Sequence, residues 1–343
     1  MESERNVLVI YTGGTIGMIK DAHTGILAPF NFDQLQLQIP EISQISAKVS
    51  TISFEKPIDS SNMGLEHWTQ LAEMVRDNYH DYDGFVILHG SDTMAYTASA
   101  LSFMFQNLAK PVILTGSQLP IGMVRTDGKE NFITSIEIAS DYRDGKPMVP
   151  EVCIYFEYQL YRGNRTYKYN AEHFEAFRSP NYPPLAEAGV HIKYNRESIH
   201  KIEGDGEFSI DTRMNNHVAV LSLFPGISEH IIEAAMNIPR NELLVIRTFG
   251  SGNAMTYPWF IRSLQQAIIN GLMIVNVSQC QGGGVSQGRY ETSSQLEKMG
   301  VISGGDMQIE AALTKGMHLI GKGLSGADFA QEFTKNIRGE LTV

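Results

Sequence analysis

Cysteine is almost absent: the 343 residues hold two, Cys153 and Cys280. They lie far apart inside apolar runs, and neither has a second Cys or a His at zinc-site spacing, so a disulfide framework and a metal site are not expected. Both read as inert buried thiols. Positive charge is also scarce. Against 38 acidic residues stand 27 Lys and Arg, for a formal net charge of −11 and a pI near 5.4. Without a basic stripe to pair with phosphates, nucleic acid and anionic membrane surfaces are excluded as partners. No apolar run reaches the ~20 residues of a membrane span, and Met1 to Asn6 lead straight into a strand pattern with no charged-then-apolar leader. The expected location is the cytoplasm. Internal repeats and low-complexity tracts are missing as well.

What is present is ample apolar material, 43% of the residues, in a chain longer than one typical domain. Short β-rich runs at residues 7–11, 49–54, 84–88, 112–115 and 152–156 alternate with helical patterns at 65–79, 93–107 and 130–140. Near-continuous apolar strands such as "FVILH" and "PVILT" fit a mostly parallel sheet covered by helices on both faces. The text turns polar and irregular after Ala188, and alternation resumes with "HVAVLSLF", "ELLVIRTF" and "LMIVNVS". The expected organisation is an α/β fold: a large N-terminal domain over residues 1–190, a linker over 191–214 and a smaller C-terminal α/β domain over 215–343.

In an open α/β sheet, ligands bind beyond the carboxyl ends of the strands. The residues found there are rich in hydroxyls and charge: Thr12-Gly13-Gly14-Thr15, His89-Gly90-Ser91-Asp92-Thr93, Thr115-Gly116-Ser117-Gln118 and, on a longer excursion, Arg162 to Lys168. Each taken alone has an ordinary structural explanation. Gly-Gly between threonines suits a tight turn. Ser91 suits the N-cap of the following helix, with Asp92 favoured by the helix dipole. A single lysine is most often a solvated one, and the Gly13-Gly14 pair lacks the Gly-Lys-Ser/Thr continuation of a phosphate loop. Convergence on one sheet edge changes the weighing. A threonine hydroxyl is a weak nucleophile that needs a base, and a hydroxyl, an acid and a lysine can supply that relay. Flanking glycines admit a carbonyl close to the backbone, and amides at the start of the helix after Ser91 can stabilise an oxyanion. The chemistry indicated is acyl transfer or hydrolysis without a metal.

At these residues the sequence resembles the L-asparaginase family, and most closely its type I cytoplasmic enzymes. One family signature stands as "VIYTGGTIG" at residues 9–17 and a second, with one change, as "GFVILHGSDTM" at 84–94. Further matches are "DSSNM" at 59–63, "LTGSQLP" at 114–120, "YRGNRTYK" at 161–168, "SPNYPPL" at 179–185, "FGSGN" at 249–253 and "IRGELT" at 337–342. The resemblance implies hydrolysis of L-asparagine to L-aspartate and ammonia, with Thr15 as the nucleophile and Ser91, Lys168 and Asp92 as the proton-relay cluster. It further implies that Asp92 binds the substrate ammonium, that Asp59, Ser60 and Ser61 hold the α-carboxylate and amine, and that Asn253 contributes from the second domain. Neither cofactor nor metal is implied. The family assembles as dimers, usually paired into tetramers, with sites at an intimate dimer interface.

The chain departs from the family at three places. Ser91 replaces a threonine, keeping the hydroxyl but losing the methyl that restricts χ1. The loop after the first strand, "MIKDAHTGILAPF", lacks the tyrosine that many relatives carry beside the nucleophile; Tyr290, in the Gly-rich loop of the second domain, matches a tyrosine of type I relatives and is the candidate to replace it. Arg247 matches the arginine of an effector site for asparagine in some type I relatives, but bulky Tyr167 occupies the place of that site's threonine. Two other functions remain to be weighed. One is the asparaginase-like subunit of the archaeal tRNA-dependent amidotransferase, which carries an extra N-terminal domain where this chain begins six residues before its first strand. The other is a non-catalytic asparagine-binding sensor, which would bind without turnover.

Overall fold

The computed structural model describes residues 4–20, 27–29, 39–202, 206–287 and 291–342. Contacts divide the chain into two units, Met1–Asp211 and Thr212–Val343.

The first unit is built on eight strands: β1 (Arg5–Gly13), β2 (Ala47–Ile58), β3 (Gly84–Leu88), β4 (Val112–Thr115), β5 (Val152–Phe156), β6 (Gln159–Arg162), β7 (Ala186–Ala188) and β8 (Ile192–Tyr194), in the order β8-β7-β6-β5-β4-β3-β1-β2. From β2 to β5 every pairing is parallel, and from β5 to β8 every pairing is antiparallel. Val7 to Tyr11, and all of β3, β4 and β5, are buried, which is why these runs are apolar without alternation. Helix α1 (Leu65–Asn78) buries Trp68, Leu71, Ala72 and Val75, the spacing of one helical face. Helix α2 (Met94–Met104) is buried at ten of its eleven positions, and α3 (Gly128–Ser140) packs near β3 and β4.

Three local features differ from the sequence expectation. Helix α2 ends at Met104 rather than 107, because Phe105 and Gln106 turn extended and pair with Ser209 and Ile210. The segment expected as a linker from 191 to 214 supplies β8 and that Ser209–Ile210 strand, so much of it is tied to the first unit. Cys153 is buried in β5, where burial pushes its thiol well above the ordinary range, but Cys280 is exposed. The strand before it stops at Ser278, so Cys280 stands in the loop beyond, and the expectation of two buried thiols is corrected.

The second unit carries four parallel strands in sequential order, β9 (Val218–Ser222), β10 (Leu243–Thr248), β11 (Met273–Ser278) and β12 (Ile302–Ser303). Helices α4 (Glu229–Met236), α5 (Pro258–Ile269), α6 (Glu291–Lys298), α7 (Ile309–Gly321) and α8 (Gly326–Phe333) complete it. Phe260 and Leu264 of α5 and Ile232 of α4 share one core with Leu244, Ile246 and Ile274 of the sheet. In α7 the ammonium of Lys315, fully buried, pairs with the equally buried carboxylate of Glu340 and donates to Lys335 O at 2.5 Å. Glu340 also accepts the amides of Ile337 at 3.0 Å and Arg338 at 2.6 Å, so the final segment is fastened to α7 from inside. Among the described residues no helix is long and apolar enough to cross a membrane.

Candidate active site

At the carboxyl edge of the parallel strands, three loops meet backbone to backbone. Gly13 and Gly14, with φ of +132° and +88°, end β1 in conformations that side chains disfavour. A Cβ on Gly14 would lie 2.6 Å from Gly90 Cα, and one on Gly90 would lie 2.5 Å from Ser60 Oγ. A side chain on Gly14 or Gly90 would not fit between these loops, so the glycines bring the segments that follow β1, β2 and β3 to one edge. Thr12 is spent there: it is buried, and its hydroxyl donates to Leu88 O at 3.0 Å. Thr15 opens a short 3₁₀ turn, Thr15–Gly17, and is only half-buried.

Ser91 lies two residues before the cap of α2. That cap is Thr93, whose hydroxyl donates to Ser60 O at 2.7 Å and ties the β2 and β3 loops together. Ser91 therefore does not cap the helix as a lone reading of the sequence suggests. Its Oγ instead accepts from Lys168 Nζ at 2.8 Å, and the same ammonium donates to Asp92 Oδ1 at 2.6 Å. Lys168 arrives from outside the main sheet, on the strand Tyr167–Lys168 paired with Phe177–Arg178, where the Arg178 guanidinium stacks 3.7 Å from the Tyr169 ring. The lysine side chain is 17% exposed and that of Asp92 68%, so the amine is enclosed while the carboxylate stays open to an incoming ligand.

Asp59 begins the turn Ser60–Asn62, with Oδ1 accepting the amide of Ser61 at 2.9 Å and its hydroxyl at 2.8 Å. The amide bond first, and then the hydroxyl, hold the Asp59 carboxyl below its ordinary range, so this exposed group is anionic at neutral pH. Ser60 is buried, its side chain filling the space beside Gly90.

Two residues that the sequence places at this edge without a role also take part in it. Gln118, after β4, offers Oε1 to Ser91 Oγ at 3.4 Å and donates through Nε2 to His173 O at 3.0 Å. His89 lies under Gly90. The signal for both was their place directly after a strand, inside "LTGSQLP" and "HGSDT".

The first unit thus gathers Thr15, Asp59, Ser60, Ser61, Ser91, Asp92 and Lys168 on the carboxyl edge of its own sheet. In the second unit, Arg247 lies in β10, and Asn253 closes a turn beyond it, its amide bonded to Phe249 O at 2.8 Å. Tyr290 lies outside the described residues. No group of three or more His, Cys, Asp or Glu among the described residues could hold a metal ion. Chemically, the edge pairs a glycine-flanked hydroxyl with a serine, an enclosed amine and open carboxylates.

Comparison with known proteins agrees with this architecture. The family model "Asparaginase, N-terminal" matches residues 6–200, and "Glutaminase/Asparaginase C-terminal domain" matches 217–333. The chain is 41% identical over 340 residues to L-asparaginase 1 of Escherichia coli K12, covering 99% of this chain and 98% of that protein. It is 38% identical over 367 residues to the 60 kDa lysophospholipase of Mus musculus, of which the match spans 64%. The crystal structure of L-asparaginase I from Vibrio cholerae superposes with a TM-score of 0.90 at 38% identity, covering 99% of this chain and 100% of that one.

Proposed function

The chain belongs to the asparaginase family, and from that premise we propose that it hydrolyses L-asparagine to L-aspartate and ammonia with Thr15 as the nucleophile. Thr15 Oγ bonds to the side-chain amide carbon as its proton leaves. The C–N bond then breaks, the departing nitrogen takes up a proton, and ammonia leaves behind an aspartyl ester of Thr15. Water attacks that ester, aspartate departs, and Thr15 regains its proton. Ser91 and Lys168 are the route for the proton in both halves.

The observation that carries this mechanism is the position of Lys168 Nζ between Ser91 Oγ and Asp92 Oδ1, on the edge where Gly14 abuts Gly90. In the same proposal Asp92 and Asp59 receive the α-ammonium, Ser60 and Ser61 lie on the α-carboxylate side, and Asn253 and Tyr290 contribute from the second domain. The last two, with Arg247 as a possible effector contact, rest on the resemblance of their motifs. So do the homo-oligomeric assembly, dimer or tetramer, and the cytoplasmic location.

Full-length likeness to an L-asparaginase favours the enzyme over an asparagine sensor or an amidotransferase subunit. Ammonia release from asparagine, compared between the natural protein and Thr15→Ala, is the test. Thr15→Ala is expected to bind L-aspartate and release no ammonia. If it kept more than a small fraction of the rate, Thr15 would lose its role.

A further inference from the structure

We propose that His89 is a positioning residue: its imidazole fixes the orientation of the Gly90–Ser91 peptide, and through it the aim of the Ser91 hydroxyl and amide. His89 is completely buried at the end of β3. Its Nδ1 lies 2.7 Å from Gly90 O and its Nε2 lies 2.9 Å from Thr97 Oγ1. Thr97, buried in α2, also accepts from Trp68 Nε1 of α1 at 3.0 Å.

The direction of these bonds follows from the groups themselves. A carbonyl only accepts, so Nδ1 carries the proton; in a neutral ring Nε2 then accepts, and the Thr97 hydroxyl must donate. Burial lowers the imidazole to about 4, which keeps the ring neutral. Donation thus runs one way, from the Trp68 indole through the Thr97 hydroxyl and the His89 ring to Gly90 O, and bonds aligned in this way reinforce one another.

Gly90 is where such control matters. It has no side chain to wedge it, because Gly14 and Ser60 leave no room for one. A glycine peptide between two loops is otherwise free to rotate, and rotation would swing the amide and side chain of Ser91 away from Lys168. The bond to its carbonyl supplies the restraint that a Cβ cannot. The buried chain from α1 and α2 therefore governs a peptide on the reacting edge without touching a substrate.

The proposal rests on Ser91 as a proton carrier, and the experiment separates the two. His89→Asn keeps a donor near the Nδ1 position, whereas His89→Gln carries its amide out to the Nε2 position beside Thr97 and leaves no donor at Gly90 O. His89→Gln is expected to lose about 10²-fold in kcat, the scale of a ~1 Å misplacement, with a much smaller change in KM, and His89→Asn to recover most of that loss. Equal kcat in the two variants, or losses that follow the unfolded fraction alone, would overturn the assignment. Nitrogen-15 spectra of the natural protein decide it even if a variant fails to fold: the Nδ1-protonated neutral tautomer is expected at pH 7, and an Nε2-protonated ring would refute the proposal. A protein with that tautomer but no ammonia release would sink the hydrolase mechanism and leave the restraint on Gly90 standing.

Discussion

Replacing Ser91 separates chemistry from stability. In Ser91→Ala, Lys168 loses its 2.8 Å bond but keeps Asp92 at 2.6 Å, so no buried charge is left without a counter-ion. No helix cap is lost either, because Thr93 holds that position. The stability cost is then that of the Lys168 bond and the long 3.4 Å bond to Gln118, about 1–2 kcal/mol, or roughly 2–8 °C in Tm for a unit of this size. At 25 °C such a loss leaves nearly every molecule folded. The rate should behave otherwise. A general acid-base contribution of 10²- to 10⁴-fold corresponds to about 2.7–5.4 kcal/mol in the barrier, far above what the folded fraction can account for. Ser91→Thr should stay active, since the hydroxyl survives and the added methyl only restricts χ1. Lys168→Met should fall with Ser91→Ala, and the double variant should be little worse than either. The assay is kcat for ammonia release at saturating asparagine, with Tm recorded alongside. A Ser91→Ala enzyme that is less stable but equally fast would refute the relay, and additive losses would show that the two groups act separately.

Two further outcomes concern the second unit. Glu310, in the first turn of α7, is buried with Oε2 lacking a hydrogen-bond partner, and burial, opposed by Arg247, raises its carboxyl to about 7. Its folded value lies above the ~4.3 of an unfolded chain, so its stabilising contribution is complete below that pH and is lost as pH rises through about 7. Glu310→Gln should therefore raise Tm at pH 8 and change it little at pH 4; identical pH profiles of Tm for the two proteins would contradict this. Lys315→Met takes from the buried Glu340 carboxylate the ammonium it pairs with, and removing one partner of a buried pair costs about 3–5 kcal/mol. A urea midpoint matching that of the natural protein would show that the pair is dispensable.

The legible parts of the chain were those where local pattern and tertiary demand coincide. Strands β3, β4 and β5 lie where their apolar runs lie, because strands covered on both faces need no alternation. Thr15, Ser91 and Asp92 lie just beyond β1 and β3, where an ordered reading of the strands puts them, whereas Asp59, Ser60 and Ser61 entered only through the resemblance of their motif. The turn between β5 and β6 was not. Glu157 and Tyr158 take φ of +44° and +68° without the Gly or Asn such turns prefer, and the Glu157 amide is held by Asn131 Oδ1 at 3.0 Å, a partner 26 residues away. The end of α2 at Met104 was hidden for the same reason, since its partner strand lies about a hundred residues downstream. Ser91 resembles a cap in any single-sequence reading, and its hydroxyl finds its partners far along the chain, Gln118 27 residues and Lys168 77 residues on.

The fastening of Lys315 by Glu340 sets an order on synthesis. Every strand and helix of the first unit lies before Asp211, so that unit can close while the ribosome is still making the second. The second closes later, because its buried lysine meets its counter-ion only when Glu340 has been added. At ~5–20 residues per second the ~130 residues between these points take roughly 6–26 s. Through that interval a finished module trails an unfinished one whose apolar strands are open to chaperones and proteases. A change at Glu340 therefore acts on the whole second unit, withholding from the buried lysine its partner at a cost of about 3–5 kcal/mol.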